Sequence, residues 1–230
     1  MEPSEATAET IGITLARATP AELSTGYPFP SWKRAMDLII ASLALLFLLP
    51  LMLVVAVLIH LDGGEVFFGH TRVGSGGRPF RVLKFRTMCP QADRKLAAYL
   101  EGNEAARLEW QLTQKLRSDP RVTWIGSFLR KSSIDELPQL LNVLRGEMSI
   151  VGPRPIVQSE ALRYGRYIRQ YKRCRPGITG LWQVSGRNDV SYRRRVAFDT
   201  IYSRHMGEPR LELAIILKTI PAVLRSKGSY

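Results

Sequence analysis

Two adjacent carboxylates, Asp135 and Glu136, have the residue types and spacing best suited to catalysis in this sequence. Pro138 follows two residues later. Because proline is tolerated in a helix only within the first turn, we predict a helix that begins near Asp135 or Glu136. A carboxylate there lies at the positive end of the helix dipole, which keeps it ionised and draws phosphate to the same place.

Structural roles compete for the same oxygens. Asp135 could cap the predicted helix, and Ser133 together with Glu136 has the spacing of a capping box. The residue types alone leave catalysis and capping open.

Basic residues surround the acidic pair along the chain. Carboxylates hold Mg²⁺ while Lys and Arg hold phosphate oxygens, so acids among many bases are typical of a Mg²⁺–phosphate site. A surface charge is the simpler interpretation for most individual arginines. The candidate phosphate ligands on this ground are Lys84, Arg86, Arg130 and Arg154.

Other metals and a disulfide framework are not indicated. The two cysteines, Cys89 and Cys174, lie far apart, and the three histidines form no HExxH pattern. This favours a reducing, cytoplasmic setting and a hard cation on carboxylates rather than zinc.

Charge is distributed unevenly along the 230 residues. The last 200 residues carry 32 Lys and Arg against 16 Asp and Glu, whereas residues 1–30 are acidic and lack apolar periodicity. We expect a flexible tail over residues 1–30 and a basic domain that binds polyanions, such as anionic lipids or phosphate-bearing substrates.

A membrane segment precedes the basic domain. Residues 38–61 contain no charge and are bracketed by Asp37 and Asp62, which indicates a membrane helix over residues 31–62. Pro50 lies in its middle, where we predict a break in the helix. Lys and Arg flank the segment on both sides, which favours a re-entrant helix with both ends in the cytoplasm. A kinked helix that spans the membrane is the alternative.

The remaining residues, 63–230, are predicted to form a mainly helical α+β domain. Strand-like runs at 66–73 and 80–88 flank a glycine-rich loop and predict a hairpin. Helices are predicted at 91–117, with a break at Gly102, and at 124–131, 136–145, 157–173, 191–206 and 211–225.

Three runs of sequence carry a family resemblance: residues 84–88, residues 126–155 and residues 175–187. Together they resemble the bacterial sugar transferases, the monotopic phosphoglycosyl transferases that start exopolysaccharide and glycoconjugate assembly. The likeness extends from about Lys33 to the C-terminus. The chain resembles the minimal members, which have no additional multi-helix membrane domain in front.

The resemblance implies an activity and its site. Such enzymes use a UDP-sugar, undecaprenyl phosphate and Mg²⁺ at the cytoplasmic face of the bacterial inner membrane. Asp135 corresponds to the proposed nucleophile, Glu136 to a residue of metal binding or phosphate positioning, and Arg154 to a phosphate ligand. Arg187, which ends the third run, is a further candidate substrate ligand. The same run is more similar to hexose-using members, which favours UDP-galactose or UDP-glucose. In the family the membrane helix is re-entrant and broken at a proline, which corresponds to Pro50.

Two other functions would fit parts of the sequence. The basic domain would suit a membrane-tethered nucleic-acid binder, but the sequence carries no zinc-finger, helix-turn-helix or RNP motif, and we expect no nucleic-acid partner. A non-catalytic scaffold for polysaccharide assembly would tolerate replacement of Asp135. The expected partners are therefore a UDP-sugar, undecaprenyl phosphate and anionic membrane lipids, and self-association is left open.

Overall fold

A computed structural model describes residues 29–113, 115–186 and 190–224 of the chain. The tail predicted over residues 1–30 lies almost entirely outside the described residues. Helices are α1 (Ser31–Leu61), α2 (Ala92–Glu101), α3 (Glu104–Thr113), α4 (Trp124–Ser132), α5 (Gln139–Arg145), α6 (Gln158–Ala161), α7 (Ile168–Arg173), α8 (Leu181–Val184), α9 (Tyr192–His205) and α10 (Pro209–Leu224). Strands are β1 (Phe67–Val73), β2 (Pro79–Phe85), β3 (Ser149–Val151) and β4 (Gly177–Thr179).

The mainly helical α+β class is confirmed. The predicted hairpin strands correspond to β1 and β2, which pair in one two-stranded sheet. The break predicted near Gly102 separates α2 from α3. Sequence reasoning missed β3 and β4, which pair in parallel with Ser149 opposite Gly177 and Val151 opposite Thr179. Each has only three residues, too few for a periodic pattern.

Helix α1 is long and apolar enough to cross a membrane. Its 31 residues span about 46 Å at 1.5 Å per residue. Many of its apolar side chains are exposed, among them Phe47 at 84% and Leu61 at 76%. An apolar surface of this extent is typical of helices that associate with a membrane.

The prediction of a helix break at Pro50 is wrong. Helix α1 runs through Pro50 as one helix rather than as two arms. Proline removes a single backbone donor, and a helix can accommodate that loss by bending instead of ending. The re-entrant path through the membrane stays a prediction.

The chain divides into two compact units. The first includes residues 29–46, His70–Val82 and 139–224, and the second includes Phe47–Gly69 and Leu83–Pro138. In the first unit, β3, β4 and the inner faces of α5, α9 and α10 surround one apolar core. Its most buried members include Val143, Met148, Val151, Tyr202, Leu211 and Ile215.

A buried ion pair fixes the start of α1 within the first unit. Lys33 Nζ donates to Glu212 Oε2 of α10 at 2.8 Å and to the Val151 carbonyl at 3.1 Å. Tyr202 donates its hydroxyl to the other oxygen of Glu212 at 2.9 Å. Because a buried charge is costly unless it is paired and hydrogen-bonded, this network holds the two helices together in one arrangement.

One turn later, Asp37 ties α1 to β3. Its Oδ1 accepts hydrogen bonds from the Ser149 hydroxyl at 3.0 Å and from the Ile150 backbone N–H at 2.9 Å. Asp37, which precedes the apolar run in the sequence, is therefore fully buried and bonded to defined partners in β3.

In the second unit, the end of α1 is held by Arg86. The guanidinium donates to the carbonyls of Ile59, at 2.9 Å, and Gly63, and lies 3.6 Å from the Asp62 carboxylate. The last carbonyls of a helix lack partners within the helix, and a basic side chain that caps them is stabilising.

Candidate active site

The two carboxylates stand on a short turn between α4 and α5. Helix α4 ends at Ser132, and Ser133 adopts a left-handed conformation with φ +58°. A 3-10 turn over Ile134–Glu136 follows, and α5 begins only at Gln139. The reversal at Ser133 buries the Asp135 side chain to 10% exposure and leaves Glu136 at 36%.

Neither capping role is formed. The Ser133 side chain makes no cap hydrogen bond to the following turn, so the predicted capping box is absent. Asp135 lies inside the 3-10 turn rather than at its first residue. Both carboxylates instead contact a lysine from another element.

Lys84 joins the two acids. Its Nζ donates to Glu136 Oε1 at 2.7 Å and to Asp135 Oδ2 at 3.2 Å. Lys84 comes from the end of β2, about 50 residues before the pair, and its side chain is 32% exposed. The two acids and one ammonium therefore form a compact cluster that opens to solvent on the side of Glu136.

Burial controls the protonation of Asp135. Loss of hydration raises the pKa of the Asp135 carboxyl above its ordinary value, Lys84 opposes that rise, and the like charge of Glu136 adds to it. A positive helix end would lower this pKa, and burial instead raises it. The turn is too short for a strong dipole, and burial outweighs it.

Arg130 supplies a second positive charge from α4. Its Nε donates to the Thr87 hydroxyl at 2.9 Å, which fixes the direction of the guanidinium. Burial lowers the pKa of Arg130, while the charges of Asp119 and Asp135 raise it. Arg130 therefore acts electrostatically on the nucleophile candidate and keeps donors for an anionic ligand.

Thr87 is the functional residue that sequence reasoning missed. Besides Arg130, it accepts a backbone hydrogen bond from Thr123 at 3.1 Å. A Cβ at Gly126 would overlap the Thr87 carbonyl, so only glycine lets α4 approach this closely. The available signal was its place beside Lys84 and Arg86 in residues 84–88.

The contacts of the other predicted ligands differ. Both terminal nitrogens of Arg86 donate to carbonyls at the end of α1, and a phosphate contact by Arg86 stays a prediction. Arg154 belongs to the first unit, where it is exposed after β3. Burial lowers the pKa of Arg72, and the nearby charge of Arg154 lowers it further. Arg187 lies outside the described residues.

The loop that carries Arg154 is closely packed in the first unit. Gly152 donates to the Thr179 carbonyl at 2.8 Å, and the Gly177 N–H donates to the Pro153 carbonyl at 2.8 Å. A Cβ at Gly152 would overlap the Arg175 carbonyl. These backbone bonds hold the main chain at position 154 while its side chain stays free for solvent or ligand.

The acidic pair has the donors to hold Mg²⁺ only as an ion shared with water and substrate, not as one enclosed by protein ligands. Among the described residues, no three His, Cys, Asp or Glu side chains converge on one point. Asp135 and Glu136 supply hard oxygen donors side by side, and Mg²⁺ commonly takes one or two carboxylates and completes its shell with water and substrate phosphates. Lys84 already holds oxygens of both acids in one place.

This arrangement suits attack on a phosphorus atom. A buried carboxylate is a competent phosphoryl acceptor, and Lys84 and Arg130 provide positive charge for phosphate oxygens. The site opens to solvent beside Glu136, which gives a phosphate ester access.

Comparison with known proteins identifies a family. Residues 29–226 match the model of the family described as bacterial sugar transferase. The exopolysaccharide production protein ExoY of Sinorhizobium fredii is 56% identical over 199 residues, which cover 86% of this chain and 88% of that protein.

Two relatives have names that state a reaction. The undecaprenyl-phosphate galactose phosphotransferase of Salmonella typhimurium is 46% identical over 86% of this chain and 41% of its own length. The UDP-glucose:undecaprenyl-phosphate glucose-1-phosphate transferase of Caulobacter vibrioides is 40% identical over 86% of this chain and 72% of its own length.

Proposed function

Since the chain belongs to the bacterial sugar transferase family, whose members here are phosphoglycosyl transferases, we propose that it transfers a sugar-1-phosphate from a UDP-sugar to undecaprenyl phosphate and releases UMP. The product, undecaprenyl-diphospho-sugar, starts exopolysaccharide or glycoconjugate synthesis. The observation that carries the proposal is the buried Asp135 carboxylate held against Lys84 and beside Glu136.

Asp135 is the nucleophile of the proposed first step. A carboxylate oxygen of Asp135 attacks the phosphorus that bears the sugar, and the bond from that phosphorus to the UMP oxygen breaks. UMP leaves with the bonding electrons, and an aspartyl-phosphosugar remains on the enzyme. Lys84 and Arg130 stabilise the negative charge on the transferring group.

The lipid completes the reaction. An oxygen of undecaprenyl phosphate attacks the same phosphorus, a diphosphate bond forms, and the Asp135 carboxylate is released unchanged. The covalent intermediate lets one site handle a soluble and a lipid substrate in turn. The expected kinetics are therefore ping-pong.

Mg²⁺ belongs to this proposal as the partner of Glu136 and Asp135. When bound, it would neutralise the phosphate oxygens of the donor. Glu136, the more exposed of the two acids, is the better placed to share an ion with a substrate. Arg154 and Arg187 are proposed as ligands of the donor phosphates on the strength of the family resemblance.

Galactose and glucose are the proposed sugars. The names of the Salmonella and Caulobacter relatives state galactose and glucose, respectively, and support this choice. The proposed location is the bacterial inner membrane with the catalytic residues on the cytoplasmic side, where UDP-sugars are made. The exposed apolar length of α1 supports a membrane location.

The test is a donor panel with purified full-length protein. The protein is mixed with Mg²⁺, undecaprenyl phosphate and one UDP-sugar at a time, and both UMP and the lipid product are measured. UDP-galactose or UDP-glucose should give equal amounts of the two products, and Asp135→Asn should give neither. No product from any UDP-sugar would contradict the proposal, and full activity of Asp135→Asn would contradict the role of Asp135 as the nucleophile.

A further inference from the structure

Helix α4 has two opposite faces that serve different purposes. Its inner face contacts Thr87 through Thr123, Gly126 and Arg130. Leu129, also inward, is 1% exposed. The other face carries two large aromatic side chains one turn apart.

The outer aromatics are largely exposed. Trp124 is 87% exposed and Phe128 is 59% exposed, and Lys131, one turn further along, is also exposed. Burying two aromatic rings would be strongly favourable, so leaving both on the surface needs a reason. Tryptophan with a nearby lysine is typical of the boundary between a membrane and water.

The contacts of two consecutive residues place this face near the end of α1. Arg86 binds the carbonyls of Ile59 and Gly63, where the apolar run of α1 meets water. The carbonyl of Thr87, the next residue, accepts from the Thr123 N–H at the start of α4, and its hydroxyl accepts from Arg130 in the last turn of α4. Because Arg86 and Thr87 are adjacent in the chain, the start of α4 lies close to the C-terminal end of α1. This holds whether α1 spans the membrane or returns.

We infer that Trp124 and Phe128 form a membrane-contacting face of α4, inserted at the level of the lipid headgroups beside the end of α1. Lys131 then lies where it can bind anionic lipid phosphates. This inference rests on the membrane location in the proposed function. The inference extends that function because the same helix carries Arg130 and is followed directly by the turn that holds Asp135. Contact of α4 with the bilayer surface would then set the distance of Asp135 from the lipid headgroups.

Fluorescence quenching tests the inference on the full-length protein in lipid vesicles that contain an anionic phospholipid. The chain has four tryptophans, so the contribution of Trp124 is the difference between wild type and Trp124→Phe. One quencher is a phospholipid brominated on its acyl chains near the headgroup, and the other is aqueous iodide. Trp110→Phe is the matched control, because Trp110 lies in the same unit with its ring against Arg121 at 5.1 Å.

The brominated lipid should remove most of the Trp124 signal, and iodide should quench it little. The Trp110 signal should respond only weakly to the brominated lipid. Quenching of Trp124 by iodide alone would overturn the inference. Protection of Trp124 from both quenchers would also overturn it, since another protein surface would then cover the face. Equal lipid quenching of Trp110 and Trp124 would remove the site specificity that the inference requires.

Flotation separates this test from the proposed function. Protein that fails to float with the vesicles would contradict the proposed membrane location itself. Protein that floats while Trp124 stays exposed to water would contradict only the role of α4.

Discussion

The Lys84 ammonium lies 3.2 Å from Asp135 Oδ2, although the two residues are 51 positions apart in the sequence. Burial raises the pKa of Asp135, and the positive charge of Lys84 opposes that rise. Lys84 therefore favours the ionised form of the candidate nucleophile and also holds it in position.

Removal of the Lys84 charge should move the pH dependence of activity. In Lys84→Met, the pKa of Asp135 rises further, so the acid limb of the pH profile of kcat/KM for the UDP-sugar should shift to higher pH. The loss of a phosphate partner should lower the maximum by roughly 100-fold. Lys95→Met, which removes an exposed lysine of α2, is the matched control and should keep the wild-type profile. A profile of Lys84→Met that is reduced but not shifted would show that Lys84 does not govern the ionisation of Asp135.

Asp135→Asn should abolish transfer and yet stabilise the fold at alkaline pH. A carboxyl with a raised pKa in the folded state contributes stability that is fully present below its unfolded pKa and is lost as pH rises through the folded pKa. Asparagine does not titrate, so the advantage of the variant should be largest near pH 8 and shrink as pH falls toward the ordinary aspartate pKa, about 3.9. Thermal unfolding in detergent at several pH values measures this, with Asp93→Asn on exposed α2 as the control. Destabilisation of Asp135→Asn at every pH would show that the Lys84 contact outweighs burial.

Much of this site was predictable because it depends on local sequence. The acidic pair, the helix before it and the break between α2 and α3 follow from proline, glycine and apolar spacing. The bridging position of Lys84 was not predictable, because it depends on where β2 ends relative to the turn. The raised pKa of Asp135 was not predictable either, since burial of one side chain is a tertiary property.

The buried charged residues of α1 also depend on tertiary contacts that the local sequence does not reveal. Lys33 and Asp37 precede the apolar run and suggest solvent-exposed flanks, but both are fully buried because their partners, Glu212 and Ser149, come from distant segments. Pro50 indicated a helix break, whereas a local bend is enough for one missing hydrogen bond.

The Lys33–Glu212 pair should show strong coupling in unfolding measurements. Lys33→Met leaves Glu212 charged and buried without its partner, which should cost about 3–5 kcal/mol. Adding Glu212→Gln removes that charge and keeps an acceptor for the Tyr202 hydroxyl, so the double variant should be less destabilised than the sum of the single variants. Urea unfolding in detergent measures all three variants. Strict additivity would mean that the two charges do not interact.

The path of α1 can be tested by labelling single cysteines. Cys89 and Cys174 are replaced, and one cysteine is placed at Ser4 before α1 or at Glu65 after it. A re-entrant helix leaves both ends in the cytoplasm, so an impermeant thiol reagent should label neither site in intact cells and both in lysed cells. Labelling of position 4 alone in intact cells would establish a spanning helix.

The most direct test of the account is to omit the lipid. Stoichiometric protein is mixed with Mg²⁺ and a UDP-sugar labelled in the sugar, quenched rapidly in acid, and analysed for UMP and for label on the peptide that contains Asp135. Asp135→Asn cannot decide between covalent and direct transfer, because both require the carboxylate. The account predicts one equivalent of UMP without lipid and one labelled peptide, which loses its label when undecaprenyl phosphate is added. UMP release that strictly requires the lipid, with no labelled peptide at any time, would contradict it and leave Asp135 as a metal ligand.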